Sequence, residues 1–159
     1  MVKQRFGRAQ LWFAGHSLGG AIAALMAVTY PRTAAITWES PGASLYGQRL
    51  GLHTNDPKML SRYPIWNFGI STDPVYLGTC SGITTSCYLS GYAMETKCRQ
   101  GQDCMFVLKN RLVNINTHRI DWIIDHVLSK PDKYEMPECV PPLNCTECED
   151  WKFTREEEE

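Results

Sequence analysis

The chain has 159 residues, 43% of them hydrophobic and 21% charged, with a formal net charge of −1. That length suits one domain with enough apolar residues for a core, and the balanced charge excludes the basic face that a nucleic-acid partner requires. No apolar stretch approaches the roughly 18 residues of a membrane span, and the opening MVKQRFGRAQLWF lacks the apolar run and small-residue cleavage site of a signal peptide.

The first predicted element is a strand in QLWFAG, apolar and aromatic enough to be buried. LGGAIAALMAVTY follows as an apolar helix that stops before Pro31. Between them, Gly15-His16-Ser17-Leu18-Gly19 has the G-x-S-x-G spacing of a nucleophile elbow. A serine hydroxyl becomes a useful nucleophile when it stands proud of its surroundings, beside a base and next to oxyanion donors. A sharp strand-to-helix turn provides that, and the flanking glycines let the two elements approach without side-chain clashes.

A second buried strand is expected over 34–40, closed by Pro41-Gly42, and a short helix in LYGQRLGL. NDPKML reads as a turn, YPIWNFGI as a third strand over 63–70, and STDPVYLG as the loop that leaves it. A Gly/Ser/Thr-rich, cysteine-rich excursion runs from Cys80 to about Cys104. MFVLKN and RLVNI read as a hairpin or extended pair, or as one bent strand. In HRIDWIIDHVLSK the spacing of Ile120, Ile123, Ile124, Val127 and Leu128 predicts an apolar helical face ended by Pro131. The order of elements gives an α/β sheet with late antiparallel character.

All seven cysteines, Cys80, Cys87, Cys98, Cys104, Cys139, Cys145 and Cys148, lie in the second half. Local disulfides joining Cys80 to Cys87 and Cys98 to Cys104 suit the short loops between them. A zinc site from Cys139 with Cys145-x-x-Cys148 lacks a second C-x-x-C or paired histidine, so no metal is expected. Asn144-Cys145-Thr146 is a glycosylation sequon, consistent with an oxidising lumen.

The remaining members of a triad follow the nucleophile in the order Ser, acid, His. Asp73, in the loop leaving the third strand, and His118, just before the last helix, have that order. Glu39 at the end of the second strand is a competing acid, and Asp56 lies in a turn. Asp73 is favoured because its loop is better placed to reach a histidine from the next connection. His16 is expected to pack beside the sheet, and His53 and His126 read as surface or helix histidines.

GHSLGG, STDPVYLG and THRI resemble the nucleophile, acid and histidine segments of the class 3 lipases, an α/β-hydrolase family. From about Leu11 to Phe153 the similarity is closer to a narrower fungal set that breaks down autophagic bodies in the vacuole. WESPG, IWNFGISTDPVYLGTCSG, SCYLSGYAMETKC and PECVPPLNCTECEDWKF carry that similarity. Where the family reads HFGHTADP this chain has NFGISTDP, with the acid retained. The resemblance implies Ser17 as nucleophile, Asp73 as acid and His118 as base, with the Leu18 backbone N–H as an oxyanion donor. It implies a triacylglycerol or phospholipid substrate at a membrane surface, no cofactor, and a location in multivesicular bodies and the vacuolar lumen.

Family members carry an N-terminal anchor, further strands, a lid and a loop with a second oxyanion donor before the elbow. The expectation is therefore a partial α/β-hydrolase fold, the C-terminal part of a lipase domain over 1–153, followed by an acidic tail over 154–159. The alternative is a catalytically impaired remnant that keeps the elbow only as packing and acts as a binding module.

Overall fold

The computed structural model describes residues 5–7, 9–53, 56–78, 98–109 and 112–142. Five strands form one sheet in the order β1-β2-β3-β4-β5. They are β1 (Leu11–His16), β2 (Thr33–Trp38), β3 (Ile65–Ile70), β4 (Gln102–Phe106) and β5 (Cys139–Val140). The first four run parallel and β5 is antiparallel to β4. Parallel strands need crossovers, and α1 (Leu18–Thr29) supplies the first, as the apolar run after the elbow predicts.

Alternation along the strands sends side chains to two faces. On one, Ala35 and Ile65 pack with Ala23, Ala24 and Ala27 of α1. These alanines let the helix lie close to the sheet. On the other, Ile70 and Phe106 pack with Ile123 and Val127, and Trp38 and Phe68 join them. The sheet is thus covered by a helix on each face, an arrangement that fits part of an α/β-hydrolase fold.

Several expectations change. NDPKML is not only a turn: Pro57–Leu60 forms a short helix, α3, after α2 (Ser44–Arg49). Asp56 caps it, accepting from the Lys58 N–H at 2.9 Å, and Pro57 fits the first turn because its missing N–H is not needed there. The hairpin from MFVLKN and RLVNI does not form among the described residues. β4 begins earlier, at Gln102, and ends at Phe106, where it completes the parallel ladder with β3. The antiparallel pairing comes instead from Cys139–Val140.

The last helical segment is also less regular than its periodicity suggests. A single 3₁₀ turn (Ile115–His118) leads into α4 (Ile120–Ile123), and Ile124–Leu128 then widens, with Ser129 N–H reaching the Ile124 carbonyl at 2.9 Å. Of its predicted apolar face, Ile123 and Val127 are buried while Ile120, Ile124 and Leu128 are exposed. Among the described residues no helix is long and apolar enough to cross a membrane.

The expected Cys98–Cys104 bridge is replaced by Cys104–Cys139. Cys104 is fully buried in β4, and the antiparallel register sets it directly opposite Cys139 of β5, with Cα atoms 4.2 Å apart. Cys98 is itself disulfide-bonded. Cys80, Cys87, Asn144, Cys145, Cys148 and the 154–159 tail lie outside the described residues.

Candidate active site

β1 ends at His16, and the chain turns at once into α1 through Ser17. Ser17 adopts φ 55 and ψ −130, a conformation that costs a non-glycine residue about 1–3 kcal/mol. The surroundings hold it there. Its N–H donates to the Trp38 carbonyl at 2.9 Å, and its carbonyl accepts from the Gly20 N–H at 2.9 Å. The closeness of strand and helix depends on Gly15, where an added Cβ would meet the Gly19 carbonyl oxygen at 2.2 Å. Gly20 is tight as well, against Ser40 Cβ at 2.9 Å, whereas Gly19 faces open space. The glycine requirement therefore falls on Gly15 and Gly20, not on both ends of the G-x-S-x-G pattern.

The loop after β3 turns back on itself, with the Leu77 N–H bonded to the Asp73 carbonyl at 3.0 Å. Asp73 is fully buried. Its Oδ1 accepts from the Val75 N–H at 3.0 Å and its Oδ2 from the Tyr76 N–H at 3.2 Å. Gly69 makes room for this loop, since a Cβ there would strike the Tyr76 ring at 2.2 Å. The phenol of Tyr76 donates to the Asn67 carbonyl at 3.0 Å, which ties the loop to β3.

His118 closes the 3₁₀ turn, and that turn is fastened to the acid loop twice. The Asn114 N–H donates to the Thr72 carbonyl at 2.9 Å, and the Thr72 hydroxyl meets that of Thr117 at 3.2 Å. His118 Nδ1 then lies 2.9 Å from Asp73 Oδ2, and Nε2 lies 2.8 Å from Ser17 Oγ. An ionised carboxylate only accepts, so Nδ1 carries the proton, and Nε2 is left to accept from the Ser17 hydroxyl. Burial alone would raise the Asp73 carboxyl, but hydrogen bonds with His118 and Glu39 hold it below its ordinary value. The three groups can pass a proton from Ser17 to His118 while Asp73 stabilises the resulting cation.

Leu18 begins α1, where a backbone N–H has no acceptor within the helix and is available to an anion beside Ser17. His16 lies next to the imidazole, as a packing residue: its Nε2 donates to the His118 carbonyl at 2.7 Å and the rings stand 5.0 Å apart. Burial lowers its pKa, with the His118 carbonyl pulling the other way. The other histidines stay outside the cluster. His53 is half-buried against Gln100, and His126 stacks on Trp122 at the surface.

Glu39, the competing acid, is not bonded to His118. It is fully buried behind Asp73, and its Oε2 accepts from the Ile70 N–H at 3.3 Å. Burial, then the hydrogen bond to and charge of Asp73, push its carboxyl far above the carboxylate range. Sequence reasoning missed Arg99 altogether. Its guanidinium donates to the Ser40 carbonyl at 2.7 Å and to the Tyr76 carbonyl, and it covers the Tyr76 ring at 4.0 Å. It thereby joins the end of β2 to the acid loop, and RQGQD carries no motif that signals this.

Comparison with known proteins places this geometry in a family context. Residues 1–47 match the class 3 lipase model. Over 159 residues the chain is 41% identical to an Eremothecium gossypii protein named "Putative lipase ATG15", covering 97% of this chain and 28% of that protein. Proteins of the same name from Candida glabrata and Saccharomyces cerevisiae are 42% identical over 158 residues and 41% over 157. Each comparison covers 96% of this chain, with 30% and 29% of the respective relative. The chain thus spans less than a third of the length of these relatives.

Proposed function

On the premise that this chain is a relative of the class 3 lipases, we propose that it carries the Ser-His-Asp triad of a serine lipase. The substrates are acyl esters of glycerolipids, triacylglycerol or phospholipid, at a membrane surface. The observation that carries this reading is His118, bonded to Ser17 at 2.8 Å through one ring nitrogen and to Asp73 at 2.9 Å through the other.

Ser17 Oγ attacks the acyl carbonyl carbon as its proton moves to His118 Nε2, and Asp73 balances the imidazolium. The carbonyl oxygen gains the negative charge, and the Leu18 N–H donates to it. His118 then protonates the departing alcohol, leaving the acyl group on Ser17. Water, deprotonated by the same imidazole, attacks that ester and releases the fatty acid. These steps require no metal or organic cofactor.

The relatives' name is in keeping with a role in autophagy, the breakdown of autophagic bodies and other membranes inside the vacuole. The Cys104–Cys139 disulfide supports an oxidising lumen of that kind. Fluorophosphonate labelling tests the chemistry: the expected adduct is on Ser17 and disappears in Ser17→Ala. Ester hydrolysis that survives in Ser17→Ala would overturn it.

A further inference from the structure

Two carboxyl groups are completely buried at the site, Asp73, which meets His118 at 2.9 Å, and Glu39. Both meet Ile70, whose N–H donates to Glu39 Oε2 at 3.3 Å and whose carbonyl accepts from the Asp73 N–H at 3.1 Å, and each carboxyl acts on the other through a hydrogen bond. As two anions they could not bond, and Glu39 Oε1 would then have no hydrogen-bond partner among the described residues. A buried anion pair without a cation between its members is strongly unfavourable, so one carboxyl holds a proton. Arg99 attracts Glu39 only through space, its guanidinium being bonded to the Ser40 and Tyr76 carbonyls.

The donors decide where the proton resides. Asp73 accepts N–H bonds from Val75, Tyr76 and His118, each of which favours its anion. Glu39 accepts one long N–H bond, from Ile70 at 3.3 Å. The chain comes to Glu39 in a left-handed conformation, φ 48, which aims the end of β2 beneath the acid loop.

We propose that Glu39 is a neutral carboxylic acid whose Oε1–H donates to Asp73, a positioning residue that fixes the acid beneath His118. This rests on the triad reading above. The role differs from that of a competing acid: Glu39 contributes a donor, not a charge. A glutamine in its place has the same shape, an amide N–H for Asp73 and an oxygen for the Ile70 N–H. A leucine has neither.

The groups that act on Glu39 are Asp73, Arg99 and the Ile70 N–H, the neutral Tyr76 phenol lies within electrostatic range, and His118 and His16 interact with Asp73. With the donor gone, Asp73 becomes more basic and stabilises the His118 cation further, so the acid limb of the kcat/KM profile moves to higher pH.

The test compares wild type, Glu39→Gln and Glu39→Leu on a short-chain nitrophenyl ester. Loss of a hydrogen bond to a charged group predicts a fall in kcat of about ten- to a hundredfold in Glu39→Leu, with KM little changed. Its acid limb shifts upward. Glu39→Gln restores kcat to within about threefold of wild type and keeps the wild-type limb, by the same argument. Infrared difference spectra of wild type against Glu39→Gln, which need no activity, show a protonated carboxyl band at neutral pH. Absence of that band, or a glutamine variant as impaired as the leucine one, would overturn the proposal. The band present in a protein that Asp73→Asn leaves fully active would instead refute the triad reading and leave the neutral Glu39 standing.

Discussion

His16 and His118 are locked together in one direction: His16 Nε2–H donates to the backbone carbonyl of His118 at 2.7 Å. The bond fixes the His16 tautomer, and burial favours the neutral ring by lowering its pKa. A second cation beside the imidazolium that forms on His118 is thereby disfavoured. The elbow histidine thus braces the base without replacing it.

His16→Phe keeps the ring and removes the donor. Loss of one neutral hydrogen bond, about 0.5–1.5 kcal/mol, predicts a roughly two- to tenfold fall in kcat/KM. The pH dependence of stability should change as well. A histidine whose folded pKa is depressed contributes stability above its unfolded value of 6.5, lost as pH falls through the folded one. In thermal melts from pH 7.5 to 5, the change in Tm on acidification should be more favourable in His16→Phe than in wild type, because the His16 loss is removed.

The triad makes a sharper claim. Ser17→Ala and His118→Ala should each remove nearly all esterase activity, because the members act as a unit. Asp73→Asn should lower kcat by about 10⁴-fold, since an amide at that position stabilises the wrong imidazole tautomer. Rates on the nitrophenyl ester check all three, and an Asp73→Asn variant within tenfold of wild type would contradict the assignment.

The elbow glycines should behave differently from one another. Gly15→Ala puts a Cβ 2.2 Å from the Gly19 carbonyl oxygen, which demands that strand and helix separate, so soluble folded protein should be lost. Gly19→Ala meets nothing within 4 Å and lies in the first turn of α1, so it should raise stability by about 0.5–1 kcal/mol. Denaturant midpoints for the two variants give the answer.

Non-reducing peptide mapping should join Cys104 to Cys139. Replacing both with serine removes a cross-link between positions 35 apart and should cost about 2–4 kcal/mol. A map that instead joined Cys98 to Cys104 would refute the β4–β5 register.

Local signals carried most of the fold. The elbow, α1 and the three strands before residue 71 follow from apolar runs bounded by glycine and proline, but only β2 and β3 are the buried strands such runs suggest; β1, expected buried, is the edge strand, with Trp12 and Ala14 exposed. The convergence of Asp73 and His118 on Ser17 was legible because chain order narrows the choice. What stayed hidden depends on contacts distant in sequence. β5 is two residues long, and only its register against β4 reveals that Cys139 faces Cys104. β4 itself begins in the polar pair Gln102-Asp103, which no propensity marks as strand. Arg99 went unread and Glu39 was read only as a competing acid, because burial of a charged residue is decided by partners such as Ser40, Tyr76 and Asp73.

A neutral Glu39 also makes folding a proton-uptake reaction. In the unfolded chain the carboxyl ionises around 4.5, and in the folded chain its value lies far higher. The stability it contributes is complete below pH 4.5 and is lost as pH rises towards the folded value, at about 1.4 kcal/mol per pH unit. His16 and Asp73 oppose this at the acid end, with depressed values of their own. Moving from neutral into mildly acidic surroundings therefore strengthens the Glu39 contribution while it weakens that of His16, so acidification shifts stability towards the carboxyl pair that carries His118.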